Sequence, residues 1–171
     1  MLKKIIYGAL IILFIVQFIR PTKNNSNDNT HHISTKYRVP SEVDTILKVA
    51  CYDCHSNNTE YPWYSNLQPA AWFLSNHVKD GKKHLNFSEF TKLSIAIQNH
   101  KLEEIIEEVE EKEMPLASYT YVGLHANAKL NDEQRLTLNT WAREQINYLK
   151  ATYPADSLKM KKRKKNKSAK K

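Results

Sequence analysis

This 171-residue sequence has only two cysteines, no convincing β-hairpin signal and no internal repeat. Strand pairs joined by tight turns would leave alternating apolar patterns bounded by turn residues, and we find none. A solenoid or other repeat fold would show a fixed period, which is also missing. The remaining patterns are those of amphipathic helices. We therefore predict an all-α fold for the folded part of the chain.

The middle of the chain lacks an excess of positive charge, although the formal net charge of the whole is +8. The first 23 and the last 13 residues hold half of the 26 basic residues. Residues 24–158 hold the other 13 with all 18 acidic residues, which leaves a net charge of −5. A nucleic-acid-binding domain carries its positive charge on a folded surface, so we expect no nucleic-acid partner.

The N-terminal hydrophobic run is short. Residues 5–19 are apolar except for Gln17, whereas about 20 residues cover a bilayer core. The flanking lysines and arginine can extend their charged ends to the interface, which lengthens the usable segment. A small-residue cleavage site of the A-x-A kind is absent. We therefore predict an uncleaved signal anchor over residues 1–20 that forms a transmembrane helix and holds the protein on the membrane; a cleaved signal peptide is the alternative.

Three segments follow the anchor. Residues 21–38 are rich in Asn, Ser and Thr, have almost no apolar side chains, and are expected to form a flexible linker. Residues 39–153 are predicted to form the folded domain. Residues 154–171 are predicted to be a disordered basic tail that contacts anionic lipid or an acidic protein, or serves solubility alone.

The domain shows several helix patterns separated by long loops. Ser41 is the expected N-cap of the first helix, a second is expected from about residue 70 to 80, and Asn131 should cap the last. Gly81 is expected to end the second helix, since glycine tolerates the left-handed conformation of a helix terminus. Long loops are uncommon in a compact domain unless they wrap something, so we expect a large prosthetic group in the core.

Both cysteines lie in the pentapeptide CYDCH, residues 51–55. A thiol–disulfide exchange motif follows a strand in a βαβ unit, and no strand is evident here. A zinc site needs about four ligands, so two cysteines and one adjacent histidine leave it incomplete. In a c-type haem site, Cys51 and Cys54 would form thioethers with the haem and His55 would bind its iron. The residues favour this third interpretation, with one covalent haem c per chain.

Covalent attachment of this kind takes place outside the cytoplasmic membrane of bacteria. The charges around the N-terminal segment do not fix its orientation by themselves. The haem motif therefore predicts a location at the bacterial inner membrane, with the haem domain on the periplasmic side.

Several segments together resemble one protein family. They are CYDCHSN, YPWYS, HVKDGKKHLNFS, EMP and LNDEQRLTLNTW, within about residues 37 to 148. They are similar to the haem-binding domain family of small, membrane-anchored bacterial proteins related to cytochrome c. The resemblance implies one covalent haem in a cytochrome c-like helical domain that wraps around it.

Met114, in the segment KEMPLA, is the expected second axial ligand of the iron. A proline directly after the ligand methionine resembles the pattern of small cytochromes c, and the other methionines, Met1 and Met160, lie near the chain ends. His/Met ligation would raise the reduction potential relative to two histidines. His77 and His125 are the alternative distal ligands.

Groups around the ligands are also expected to contribute. The ring N–H of His55 should donate to a backbone carbonyl, and resemblance to cytochromes c suggests that of Pro62. Four aromatic side chains are expected to pack either on the porphyrin or in an ordinary core. They are Trp63, Tyr64, Trp72 and Trp141.

The predicted function is one-electron transfer, because no acid, base or nucleophile constellation for catalysis is evident. The alternatives are a haem sensor or peroxidase-like enzyme with an open sixth position, and a thiol–disulfide oxidoreductase. The redox partners cannot be named, although the acidic helix around residues 102–113 would attract a basic one.

Overall fold

The computed structural model of the chain describes residues 1–120 and 125–160, and in these ranges it contains seven α-helices and no strand. The predicted all-α fold is confirmed. The helices are α1 Leu2–Val16, α2 Ser41–Ala50, α3 Tyr52–His55, α4 Ala70–His84, α5 Ile95–Glu110, α6 Ala117–Thr120 and α7 Asp132–Thr152. Short 3-10 turns lie at Ile33–Thr35, Trp63–Asn66, Phe87–Lys92, Ala126–Ala128 and Ala155–Leu158.

Helices α2, α5 and α7 form the core, each burying one apolar stripe. Three residues of α2 at helical spacing are buried, and α5 contributes four more. They are Val43, Ile46 and Leu47 of α2, and Leu102, Ile105, Ile106 and Val109 of α5. Asn131 and Gln134 form a reciprocal capping box at the start of α7, as expected. Ser41 is the first residue of α2, after the N-cap Pro40, and makes no cap hydrogen bond.

Helix α1 has 15 residues, all of them apolar except two lysines, and none of its side chains is buried. At 1.5 Å per residue it is about 22 Å long, against about 30 Å for a bilayer core. Within residues 1–120 and 125–160, no helix is both long and apolar enough to cross a membrane. The prediction of a transmembrane helix over residues 1–20 is corrected here, because the helix ends at Val16.

Most of the segment expected to be a flexible linker belongs to the folded domain. Ile33 and Tyr37 are buried in the core, and the Tyr37 hydroxyl donates to Gln98 Oε1 at 2.6 Å. The side chain of Asn24 donates to the carbonyl of Ser56 at 2.8 Å. Residues 24–38 therefore pack along the domain rather than tether it at a distance.

The C-terminal segment also differs from the expectation in its first part. Residues 155–158 form a 3-10 turn, and Leu158 packs against the core. The rest of the predicted basic tail, residues 161–171, lies outside the described residues.

Candidate functional site

A cavity of about 430 Å³ lies between α2, α3, α4, α5 and the segment after α5. Its walls are mostly apolar, and this size is within the range of ligand and cofactor sites. It brings together five of the six residues expected at the site, which are Cys51, Cys54, His55, His77 and Met114. His125 does not line this cavity.

The CYDCH segment forms a sharp connection between two helices. Cys51, with a φ of −127°, lies between the two helices: it is the C-cap of α2 and the N-cap of the single-turn helix α3, which ends at His55. The amide of His55 donates to the carbonyl of Cys51 at 2.9 Å, so these two residues are separated by one helical turn. This turn sets the position of both thiols and the imidazole at one cavity wall.

Helix α4 packs unusually close to that turn at Gly81. The helix continues to His84, so the prediction that Gly81 ends it is wrong. A Cβ placed on Gly81 would lie 2.7 Å from the carbonyl oxygen of Cys54 and 3.1 Å from its Cβ. Only glycine permits this approach, because both clashing groups belong to the backbone or its first side-chain atom. The glycine therefore serves helix packing against Cys54 rather than helix termination.

The imidazole of His55 is fixed by a backbone carbonyl. Its Nδ1 lies 2.9 Å from the carbonyl oxygen of Leu85, directly after α4, which makes Nδ1 the donor and Nε2 the unprotonated nitrogen of the neutral ring. The expected hydrogen bond is present, but its acceptor is Leu85 instead of Pro62. Burial holds the pKa of His55 below its usual value, although the bond to Leu85 opposes this shift. The ring is therefore kept in the neutral form that binds metals.

Met114 is held in the cavity wall by its backbone. Its amide donates to the carbonyl of Glu108 at 3.1 Å, which folds the chain back at the end of α5. Arg135 of α7 donates from Nη1 to the carbonyls of Val109 at 2.8 Å and Met114 at 3.1 Å. The arginine thus joins the end of α5 to the methionine segment.

The two alternative distal histidines are placed differently. His77 lies on the cavity face of α4, where its Nδ1 contacts the carbonyl of Phe73 at 2.9 Å. His125 contacts the hydroxyl of Tyr64 through Nε2 at 2.8 Å, and its ring stacks on Tyr119 at 4.2 Å. His77 stays an alternative ligand by position, whereas His125 is already engaged outside the cavity.

The family model of the haem-binding domain matches residues 11–144 of the chain. The chain belongs to the haem-binding domain family. Comparisons with curated proteins and with solved structures gave no match.

The cavity of this haem-binding domain fits a haem by its chemistry. Apolar side chains such as Leu47, Phe87 and Leu138 line it, as a porphyrin ring requires. The same walls offer two thiols, one thioether and the imidazoles of His55, His77 and His84. In the described residues, no three His, Cys, Asp or Glu side chains are grouped to hold a bare metal ion.

The two thiols of the haem-binding domain are poor nucleophiles by themselves. Burial, with a smaller contribution from Cys54, raises the pKa of Cys51 to about 12. Burial and the nearby Asp53 raise the pKa of Cys54 to about 11. Thiol–disulfide exchange uses thiolates whose pKa is lowered. These surroundings therefore disfavour the thiol–disulfide alternative.

Sequence reasoning missed several contributors to the site. Leu85 acts through its carbonyl, which any residue could supply, so no pattern in the sequence marks it. Gly81 carried a usable signal, because a glycine inside a helix often marks a close approach. Tyr119 lines the cavity and donates to Asp53 Oδ2 at 2.7 Å, which ties α6 to the residue between the two cysteines.

The four aromatic residues considered for the porphyrin lie elsewhere. Trp141 is buried in the core, where its Nε1 donates to the carbonyl of Arg38 at 2.9 Å. Tyr64 contacts His125, and both Trp63 and Trp72 are exposed. Of these four residues, Trp141 alone packs in the core, as the second of the two expected arrangements has it.

Proposed function

We propose that this haem-binding protein carries one electron at a time, with a single haem c attached through Cys51 and Cys54. His55 and Met114 are the proposed axial ligands. The observation that carries the proposal is that all four side chains line one apolar cavity. A bound haem iron supplies reversible one-electron chemistry, which no amino-acid side chain of the cavity offers.

The chain's own residues have distinct proposed tasks. The cysteines hold the group, and the Leu85 carbonyl fixes the ring of His55 through Nδ1, which leaves Nε2 as the nitrogen that would bind the iron. The apolar walls keep water away from the site, which together with a methionine ligand favours a higher potential. Arg135 holds the backbone of Met114 from outside the cavity.

We also propose that the N-terminal helix attaches the protein to a membrane. Its apolar side chains are almost all exposed to solvent, a costly arrangement unless lipid covers them. Covalent haem attachment takes place outside the cytoplasmic membrane of bacteria, and this supports a location of the haem domain on the periplasmic side of the inner membrane. The acidic surface of α5 is a candidate contact for a basic redox partner. The basic tail is a candidate contact for anionic lipid or an acidic protein.

A redox titration of the purified full-length protein tests electron transfer. We expect a reversible one-electron transition and, in the oxidised form, a sulfur–iron charge-transfer band. The Met114→Ala variant should lose the band, whereas Met160→Ala, at an exposed position of the C-terminal segment, should keep it. If Met114→Ala leaves spectrum and potential unchanged, a His77→Ala variant decides whether that histidine is the ligand.

The sensor and peroxidase alternatives predict a different result. An open sixth position would let the reduced wild-type protein bind carbon monoxide at once, or let the oxidised protein turn over peroxide. We expect neither with Met114 in place, and either result would replace electron transfer as the function.

A further inference from the structure

Exposed hydrophobic side chains are concentrated on one short segment of the domain. After residue 20, eight large hydrophobic residues are exposed in the described part of the chain, and four of them lie within residues 63–73. These four, named here the aromatic patch, are Trp63, Leu67, Trp72 and Phe73. Their exposed fractions run from 36% to 73%. A cluster of this kind marks an interaction surface, whereas scattered exposed residues do not.

The aromatic patch is hydrogen-bonded to the end of the N-terminal apolar segment. The side chain of Gln17 accepts from the amide of Gln68 at 2.9 Å. The carbonyl of Ile19 accepts from the Gln68 side chain at 2.7 Å and from the Trp72 indole at 3.1 Å. Gln17, the one polar interruption of the apolar run, thus joins α1 to the start of α4. The C-terminal end of α1 and the patch are therefore neighbours.

Positive charge borders the same region. Arg20 and Lys23 line a small cavity of about 200 Å³ together with Asn66, which belongs to the 3-10 turn that carries Trp63. The ammonium group of Lys23 lies over the ring of Tyr61, 5.1 Å from its centroid. Exposed tryptophans beside basic side chains are typical of the water–lipid boundary, where indole rings and anionic headgroups meet.

We propose that the aromatic patch rests in the headgroup layer of the phospholipid bilayer to which α1 attaches. The inference rests on the membrane attachment proposed above and adds an orientation to it. Helix α4 carries Trp72 and Phe73 in its first turn and lines the haem cavity with His77, Gly81 and His84. From Phe73 to His84 the helix rises about 16 Å. With the patch in the headgroup layer, the cavity-lining residues at the C-terminal end of α4 would therefore lie above the lipid surface.

Photocrosslinking of the full-length, haem-loaded protein tests this orientation. p-Benzoylphenylalanine replaces Phe73 of the patch, Phe14 of α1, or Leu136, an exposed residue of α7 remote in sequence from the patch. Each variant is reconstituted with liposomes of phosphatidylethanolamine and phosphatidylglycerol, irradiated, and analysed by mass spectrometry for lipid adducts. We expect adducts at positions 14 and 73 and severalfold fewer at 136.

The other outcomes separate the two proposals. An adduct at position 14 without one at 73 would overturn the orientation and leave the attachment standing. No adduct at position 14 would overturn both. A covalent dimer at position 73 would make the patch an interface between two copies, and equal yields at 73 and 136 would mean that lipid contact is unspecific. Either of these two results also contradicts the proposal.

Discussion

The wall of the cavity that carries the cysteines and the segment that carries Met114 are built in different ways. At Cys54, two backbones meet directly at Gly81, and the orientation of His55 depends on the carbonyl of Leu85. At Met114, the backbone is held by one long side chain, that of Arg135, and by the hydrogen bond that the Met114 amide donates to the carbonyl of Glu108. Direct backbone packing leaves little room to adjust, whereas a side-chain contact can shift. Substitutions near Cys54 should therefore affect the attachment of the haem, whereas substitutions near Met114 should affect only the axial ligation of its iron.

The largest effect is expected from Gly81→Ala. In most helices this change is stabilising by about 1 kcal/mol, because alanine is the better helix former. Here the new methyl group would meet the Cys54 backbone, and such overpacking costs about 1–3 kcal/mol. We expect lower thermal stability and a smaller fraction of protein with haem. Gly8→Ala is the matched control, since nothing lies within 4 Å of its added Cβ. Equal behaviour of the two variants would contradict the close packing.

Met114→Ala should leave covalent attachment intact and change the iron site. Loss of the thioether removes the ligand that raises the potential, so the midpoint should fall. Potentiometry measures this change, and haem content per chain shows that attachment is unaffected. A variant that loses its haem altogether would mean that the two regions are not independent.

Arg135→Gln should weaken the methionine segment without removing the ligand. A hydrogen bond from a charged group contributes about 1.5–3 kcal/mol, and this arginine makes two with Nη1. We expect a fraction of molecules without the charge-transfer band at ambient temperature, and more on heating. The matched control is Arg143→Gln on the same helix, an exposed partner of Glu110 whose ion pair is worth about 0–1 kcal/mol. If both variants lose the band equally, the role of Arg135 is disproved.

The smallest effect is expected from Tyr119→Phe. The change removes one hydrogen bond to a carboxylate, that of Asp53 Oδ2, worth about 1.5–3 kcal/mol, while Oδ1 still accepts from the amide of Glu60. Because Tyr119 also lines the cavity, the visible spectrum should shift slightly. Tyr64→Phe removes a tyrosine hydrogen bond outside the cavity, to His125, so it should reduce stability without shifting the spectrum. A spectral shift in both variants would argue against a local effect.

The parts of the site that the sequence predicted are those in which residue type alone carries the chemistry. Two thiols, an imidazole and a thioether at recognisable spacings pointed to a haem before any fold was known. The supporting contacts could not be predicted in the same way, because the Leu85 carbonyl is common to all residues. Gly81 was assigned to a helix end because the sequence does not show which backbone approaches it.

The fold was predictable where the pattern was regular. The helix expected from about residue 70 and the cap of α7 at Asn131 were predicted correctly. Ile33 and Tyr37 were missed, since two apolar residues in a polar segment give no period, and their burial depends on distant partners such as Gln98. The end of α1 at Val16 was missed as well, because apolar residues continue beyond the helix.

The most direct test of the account is whether haem stays with the polypeptide. The full-length protein would be made in a bacterium with active haem-attachment machinery, denatured, and extracted with acidified acetone, beside a Cys51→Ala/Cys54→Ala variant. The account predicts that haem absorbance stays with the wild-type chain, that its mass exceeds that of the polypeptide by one haem, and that the variant retains none. Haem extracted from the wild type, together with two thiols that react with a label, would contradict covalent attachment at these cysteines.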